Sequence, residues 1–169
     1  DLPGHGDSDD LGSDLSIDHM AKRVIALLKS LSIKKVRIIG HSMGGYVGLA
    51  MLEKDPDLIV QLILLHSKAG DDAPETKLKR DQGMEMIRQH PSLFVKEGIN
   101  NLFRKERAGL FKEQIAELIL DAERTDYTGY IEALEAMKKR PDRRFLLKKF
   151  SNIVFIAGYY DPVIPFSIS

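Results

Sequence analysis

Residues 36–52 read Val-Arg-Ile-Ile-Gly-His-Ser-Met-Gly-Gly-Tyr-Val-Gly-Leu-Ala-Met-Leu, and this stretch decides the fold. Its first four residues are an apolar run that predicts a buried strand, and the residues from Gly45 onward predict a helix. Between them lies a G-x-S-x-G motif, residues 40–44, at a sharp strand-to-helix turn. Such a turn exposes the hydroxyl of Ser42 and places it at a helix N-terminus, where backbone N–H groups can stabilise a developing oxyanion.

The glycines of this stretch have predicted structural roles. Gly40 and Gly44 remove Cβ atoms that would collide where the chain doubles back, and they permit dihedrals closed to other residues. Gly44 and Gly48 let the helix approach the sheet closely, while His41 is expected to point into the packing between sheet and helix. Because neither G-x-G-x-x-G nor the G-K-[ST] ending of a P-loop is present, the turn is not a phosphate-binding turn. Because the sharp turn exposes and orients its hydroxyl, as a serine nucleophile requires, Ser42 is the predicted nucleophile.

Strands and helices alternate around this turn. Ser16 is a predicted N-cap, and the helix after it has a predicted buried stripe of Met20, Val24, Leu27, Leu28 and Leu31. The continuous apolar run 58–65 fits a strand of a parallel sheet that is covered on both faces. Residues 71–144 are rich in charges and predict about four short helices, and residues 153–157 predict a last strand. This order predicts an α/β fold with a parallel sheet.

Polar residues follow each predicted strand. Ser42 follows the first, the pair His66-Ser67 follows the second and Asp161 follows the third. In parallel sheets the chemistry gathers at the carboxyl ends of the strands. The helical insertion after the second strand would hang over the same edge, where a lid would lie.

Four landmarks, in this order, resemble the α/β-hydrolase superfamily. Residues 1–8, Asp-Leu-Pro-Gly-His-Gly-Asp-Ser, resemble its D-x-x-G-x-G-x-S loop, and residues 40–45 resemble its nucleophile elbow. The insertion resembles its cap, and Gly-Tyr-Tyr-Asp-Pro-Val-Ile-Pro, residues 158–165, resembles the turn that carries the triad acid. The resemblance covers essentially the whole chain. It implies a partial three-layer core formed by residues 1–70 and 145–169, with a helical cap and return helix formed by residues 71–144.

The resemblance also implies roles for individual residues. Ser42 would be the nucleophile, the backbone N–H of Met43 would be half of the oxyanion hole, and Asp161 would orient the base. Some members of the superfamily place the acid after the preceding strand, and Asp71 or Asp72 would then be the candidates. No metal and no cofactor is implied.

The base is the main departure from the pattern of the superfamily. The chain has five histidines, namely His5, His19, His41, His66 and His90. None of them follows Asp161, although the superfamily places its histidine after the acid. We therefore expect that the base, the second oxyanion donor, the first four strands and the last strand lie outside these residues. The chain would then be a central excerpt with an exposed sheet edge, inactive by itself.

The sequence also predicts roles for two of these histidines. His66 ends a strand near the site, so it is the alternative base, although lining the pocket or capping the strand fits it better. His5 is expected to brace its own loop.

The activity that the resemblance implies is that of a lidded serine hydrolase. Such an enzyme cleaves a carboxylic ester, thioester or amide of a small apolar compound through an acyl-enzyme, and carbon–carbon bond hydrolysis uses the same triad. The alternative is a non-hydrolysing ligand receptor or regulatory binder on the same fold, because fold does not imply function.

The composition is that of an ordinary protein of 169 residues. Lys and Arg together number 25, as do Asp and Glu, which argues against a nucleic-acid or anionic-membrane partner and leaves a small molecule as the expected one. The chain has no cysteine, which excludes disulfides and thiolate metal sites. No apolar stretch approaches the roughly 20 residues of a membrane helix. We therefore expect a cytoplasmic protein, and no oligomeric state is predicted.

Overall fold

The computed structural model describes residues 1–8, 14–161 and 163–164. Within these ranges the chain forms three strands, β1 Val36–His41, β2 Ile59–Leu65 and β3 Ile153–Ile156. The same ranges contain the helices α1 Ile17–Ser30, α2 Met43–Lys54, α3 Pro74–Gln89, α4 Pro91–Asn100, α5 Lys112–Glu123, α6 Tyr127–Lys139 and α7 Phe145–Lys149. Short 3-10 turns span Pro56–Leu58 and Ala108–Phe111.

The three strands form a parallel sheet, as predicted, and their order in it is β1-β2-β3. His41 at the end of β1 lies opposite Leu65, and Leu65 lies opposite Ile156 at the end of β3. The carboxyl ends of all three strands therefore meet at one edge of the sheet, and this edge carries the predicted site.

Helix α1 begins where the sequence predicts. The hydroxyl oxygen of Ser16 accepts a hydrogen bond from the N–H of His19 at 3.1 Å, which confirms the N-cap. The predicted buried stripe is only partly correct, because Leu27 and Leu31 are exposed. The face with which helix α1 packs against α2 overlaps the predicted stripe at Met20 but is rotated about the helix axis relative to it. This face buries Ile17, Met20, Ala21 and Ile25.

The main core lies on one face of the sheet. Buried residues of α1, α2 and β2 form it, and Leu146 of α7 joins them. The other face is open: Ile39 is 67% exposed, and Val154, which shares its row across the sheet, is also exposed. The expectation that β2 is covered on both faces is therefore wrong for the described residues. Its outward side chains, such as Ile63, are only half-buried because the packed helices lie on the opposite side.

The segment between β2 and α7 contains the four α-helices that the sequence predicts. Helix α3 packs against α6 and α4, and α4 packs against α5. Their buried hydrophobic residues outside the main core are Met84, Ile87, Val95, Ile115 and Ala133. None of the helices in the described ranges is both long and apolar enough to cross a bilayer.

The N-terminal loop, residues 1–8, folds on itself. Gly4 and Gly6 adopt positive φ values of 73° and 54°, which favour glycine. The Nδ1 atom of His5 lies 3.0 Å from the carbonyl oxygen of Pro3. This contact confirms that His5 braces its own loop.

Candidate active site

Ser42 lies between the last residue of β1 and the first residue of α2, in a strained backbone conformation. Its φ is 49° and its ψ is −115°, a region that residues other than glycine rarely enter. The N–H of Ser42 donates to the carbonyl of Leu65 at 3.0 Å. The carbonyl of Ser42 accepts from the hydroxyl of Ser67 at 2.8 Å and from the N–H of Gly45 at 3.0 Å. These three hydrogen bonds hold the sharp turn that the G-x-S-x-G motif predicts.

The glycines of the turn differ in what they do. A Cβ on Gly40 would lie 2.5 Å from the carbonyl oxygen of Gly44, so the predicted steric role of Gly40 is confirmed. A Cβ on Gly48 would lie 2.6 Å from Cδ1 of Leu62, which confirms that the helix approaches the sheet closely there. The prediction for Gly44 is wrong, because a Cβ at this position would meet no atom within 4 Å.

The close contact belongs to the next glycine instead. A Cβ on Gly45 would overlap the hydroxyl of Ser67, which is buried beneath the turn. The left-handed conformation likewise belongs to Ser42 and not to either motif glycine. Ser67 is thus a structural partner of the turn that sequence reasoning missed. Its one signal in the sequence is its place in the polar pair His66-Ser67 that follows an apolar strand.

Met43 is the first residue of α2. Its N–H therefore has no intrahelical partner and lies at the positive end of the helix dipole. This position suits the predicted oxyanion donor.

The carboxylate of Asp161 is held by three donors. Its Oδ1 accepts from the N–H groups of Val163 at 2.8 Å and Ile164 at 2.9 Å. Its Oδ2 lies 2.5 Å from Nδ1 of His66, and the side chain is 8% exposed. Burial disfavours the ionised carboxylate, but the hydrogen bonds from Ile164, His66 and Val163 outweigh burial and lower the pKa of Asp161 below its ordinary value. Pro162 and Pro165, the prolines of the predicted turn motif, lie outside the described residues.

His66 follows the last residue of β2 and has a positive φ of 45°. Its N–H donates to the carbonyl of Ile156 at 2.9 Å, which ties it to β3. The structure confirms that His66 lines the pocket, whereas its contact with Asp161 was not predicted. Among the described residues, none forms a hydrogen bond with the hydroxyl oxygen of Ser42.

A cavity of about 420 Å³ opens at this edge of the sheet and brings together Ser42, His66 and Asp161. Two residues between α4 and α5, Leu102 and Arg104, form part of its wall. The guanidinium of Arg104 lies 4.3 Å from the centre of the Tyr160 ring, which also lines the cavity.

His41 also lines this cavity and is exposed. The expectation that it points into the packing between sheet and helix is therefore wrong. His41 lies opposite Leu65, on the face of the sheet that is turned away from the main core. Its ring meets the ring of His66 edge-on, with 5.9 Å between the centroids.

Comparison with known families agrees with this geometry. Residues 1–168 match the family described as alpha/beta hydrolase fold. The chain belongs to this family. Its three described strands and the helices packed on them form part of an α/β-hydrolase fold.

This α/β-hydrolase chain is similar to several individual proteins. The chain is 29% identical to the dihydrolipoyllysine-residue acetyltransferase component of the acetoin cleaving system of Pseudomonas putida, over 99% of this chain and 45% of the relative. A stretch covering 34% of this chain and 22% of the relative is 40% identical to the putative carbamate hydrolase RutD of Pseudomonas savastanoi pv. phaseolicola. The structure of a thermophilic esterase from Thermogutta terrifontis matches with a TM-score of 0.88 and 29% identity, over 98% of this chain and 62% of the esterase. The chain thus spans less than half of the two sequence relatives and less than two thirds of the esterase.

The alternative acids of the α/β-hydrolase pattern do not reach the cavity. Asp72 is fully buried and pairs with Arg140 at 2.8 Å, with Arg80, and with Lys68 at 3.3 Å. Burial would raise the pKa of Asp72, but Arg140 and Arg80 lower it far below its ordinary value. Asp71 lies 3.6 Å from Lys77. Asp161 is therefore the aspartate that shares the cavity with Ser42.

Among the described residues, no group of three or more histidine or acidic side chains is arranged to hold a metal ion.

Proposed function

We propose that the full-length protein is a serine hydrolase in which Ser42 is the nucleophile. The observation that carries this proposal is the strained conformation of Ser42 at a strand-to-helix turn, in a cavity that also contains the carboxylate of Asp161. A serine hydroxyl needs such exposure and orientation because it is a weak nucleophile at its ordinary pKa. The names of two relatives, an esterase and a putative carbamate hydrolase, support a carboxylic ester or a related acyl compound as the substrate class.

The proposed reaction has two halves. The Ser42 oxygen attacks the carbonyl carbon and its proton passes to a histidine base, while the N–H of Met43 donates to the developing oxyanion. The base then protonates the leaving alcohol, thiol or amine, and an acyl-enzyme remains on Ser42. Water then gives a proton to the same base and attacks the ester carbonyl of the acyl-enzyme. The bond to the Ser42 oxygen breaks, the acid is released, and the base returns the proton to restore the Ser42 hydroxyl.

Asp161 would orient the base and stabilise its positive charge. We propose that this base is a histidine that is not among the five of this chain, because among the described residues none bonds to the Ser42 hydroxyl. The second oxyanion donor would likewise come from elsewhere in the full-length protein.

We further propose that residues 71–144 form a cap over the site. Leu102 and Arg104 of this segment line the cavity, so the segment helps to set which acyl groups fit. The leucine and the rings of Tyr159 and Tyr160 support a small, largely apolar substrate, and a cavity of about 420 Å³ is of the size that binds small molecules.

Labelling of the full-length protein with a fluorophosphonate tests the assignment of the nucleophile. We expect one adduct per chain, located by peptide mass spectrometry at Ser42 and absent from the Ser42→Ala variant. A folded wild-type protein that binds small apolar ligands but stays unlabelled would contradict the proposal and favour a non-hydrolysing receptor.

A further inference from the structure

We propose that His66 is a positioning residue that holds the carboxylate of Asp161 in the orientation in which it serves the base. The proposal rests on the proposed function of Ser42 and Asp161. Its starting point is the 2.5 Å contact between Nδ1 of His66 and Oδ2 of Asp161.

The two oxygens of the Asp161 carboxylate are held in different ways. Oδ1 accepts two backbone N–H groups, those of Val163 and Ile164, from residues close to it in the chain. Both bonds act on the same oxygen, so they leave the plane of the carboxylate free to tilt about that point. The contact of Oδ2 with His66, 95 residues away in the chain, fixes the second point and hence the plane. Hydrogen bonds to a charged group are among the stronger ones in proteins.

The ring of His66 is itself fixed by its surroundings. The backbone of His66 has a positive φ of 45°, and its backbone N–H donates to the carbonyl of Ile156. The side chain therefore leaves the end of β2 in a defined direction. A Cβ on Gly158 would lie 2.9 Å from Cε1 of His66. Glycine at position 158 therefore leaves the room that the ring needs. The ring also meets the ring of His41 edge-on.

The same geometry favours a positioning role over a role as base. The Nδ1 atom of His66 faces Asp161, and no hydrogen bond joins its ring to Ser42 among the described residues. A carboxylate oxygen has two lone pairs, so Oδ2 can accept a second N–H from a base while it keeps the bond to His66. Asp161 would then serve two histidines at once.

Two substitutions of His66 in the full-length protein separate these roles. In His66→Asn, the side-chain nitrogen takes the place of Nδ1 and can still donate to Asp161, whereas in His66→Leu a methyl group stands there. We expect His66→Leu to lower kcat for a p-nitrophenyl ester about tenfold with KM unchanged, because a hydrogen bond to a charged group is lost. His66→Asn should keep kcat within about threefold of the wild type. Circular dichroism checks that each variant is folded, and His66→Ala replaces His66→Leu if the latter is not.

The possible results are distinct. Wild-type kcat in both variants would overturn the proposal and leave His66 as a lining residue only. Loss of turnover in both variants to the level of Ser42→Ala would also overturn it, because an asparagine amide cannot act as a base and His66 would then be the base itself. Failure of the proposed function differs from both results, since the wild-type protein would then neither hydrolyse the ester nor react with a fluorophosphonate.

Discussion

Replacing Asp72 by asparagine removes the negative charge that three buried or half-buried cations share. The side chain of Asp72 is inaccessible to solvent, and its oxygens contact Arg140 at 2.8 Å, Lys68 at 3.3 Å, and Arg80. Asp72 follows β2, whereas Arg80 lies on α3 and Arg140 directly follows α6. The substitution therefore tests whether this cluster joins the helices between β2 and α7 to the rest of the fold.

The size of the effect follows from what each cation can do after the change. Removing one partner of a buried ion pair costs about 3–5 kcal/mol, because the remaining charge stays desolvated. Arg140 is 2% exposed and cannot regain water, but its guanidinium also donates to the carbonyls of Met137 at 2.6 Å and Gly70 at 3.0 Å. It further lies 3.8 Å from the centre of the Tyr46 ring. Because these contacts remain, we expect the lower end of the range, a loss of about 3 kcal/mol in the free energy of unfolding.

The matched control is Asp71→Asn. Asp71 and Lys77 are both partly exposed and 3.6 Å apart, so this substitution should change the free energy of unfolding by less than about 1 kcal/mol. Urea unfolding of the full-length protein, followed by circular dichroism, measures both variants against the wild type. Equal unfolding free energies for the two variants would refute the reasoning.

The effect of Asp72→Asn also has a predicted pH dependence. The pKa of Asp72 is lowered in the folded protein, so the unfolded chain takes up a proton first as the pH falls. The stabilisation is complete well above the unfolded pKa of about 3.9 and is lost as the pH falls toward the folded pKa. The difference between the wild type and Asp72→Asn should therefore be constant between about pH 6 and 8 and shrink below about pH 4. A difference that grows in acid would contradict this assignment.

Two further predictions concern the turn and the acid. Gly45→Ala should destabilise the full-length protein by about 1–3 kcal/mol in urea unfolding, since the new methyl group overlaps Ser67. Gly44→Ala should be neutral or slightly stabilising, because its Cβ meets open space and alanine favours a helix. Similar losses in both variants would contradict the assignment of the close contact to Gly45. Asp161→Asn should lower kcat by about 10⁴ for a p-nitrophenyl ester, as loss of the acid does in other triads. A kcat within tenfold of the wild type would show that another group orients the base.

Local patterns were enough to predict the framework of the fold. The apolar run before Ser42, the N-cap Ser16 and the helical periodicity of residues 71–144 each depend on neighbours in the chain, and the structure confirms the elements that they predict. The order of strands then led to the parallel sheet and to the edge at which Ser42 and Asp161 meet.

Contacts between distant residues were harder to predict. Asp72 and Arg140 are 68 residues apart, and His66 and Asp161 are 95 apart, so no periodicity or motif links the members of either pair. The placements of His41 and Gly44 were wrong for a related reason. Which side of a strand or helix meets a neighbour depends on the register of the strands and on the docking of α2, and local sequence patterns reveal neither.

Capture of the acyl-enzyme tests the central claim, nucleophilic attack by Ser42, most directly. The full-length protein is mixed with p-nitrophenyl acetate, quenched in acid during the first turnover and digested for mass spectrometry. We expect one acetyl group on the peptide that contains Ser42, decaying at the rate of steady-state turnover, and none in the Ser42→Ala variant. Hydrolysis that proceeds equally fast in Ser42→Ala, with no acetylated serine in the wild type, would contradict the account.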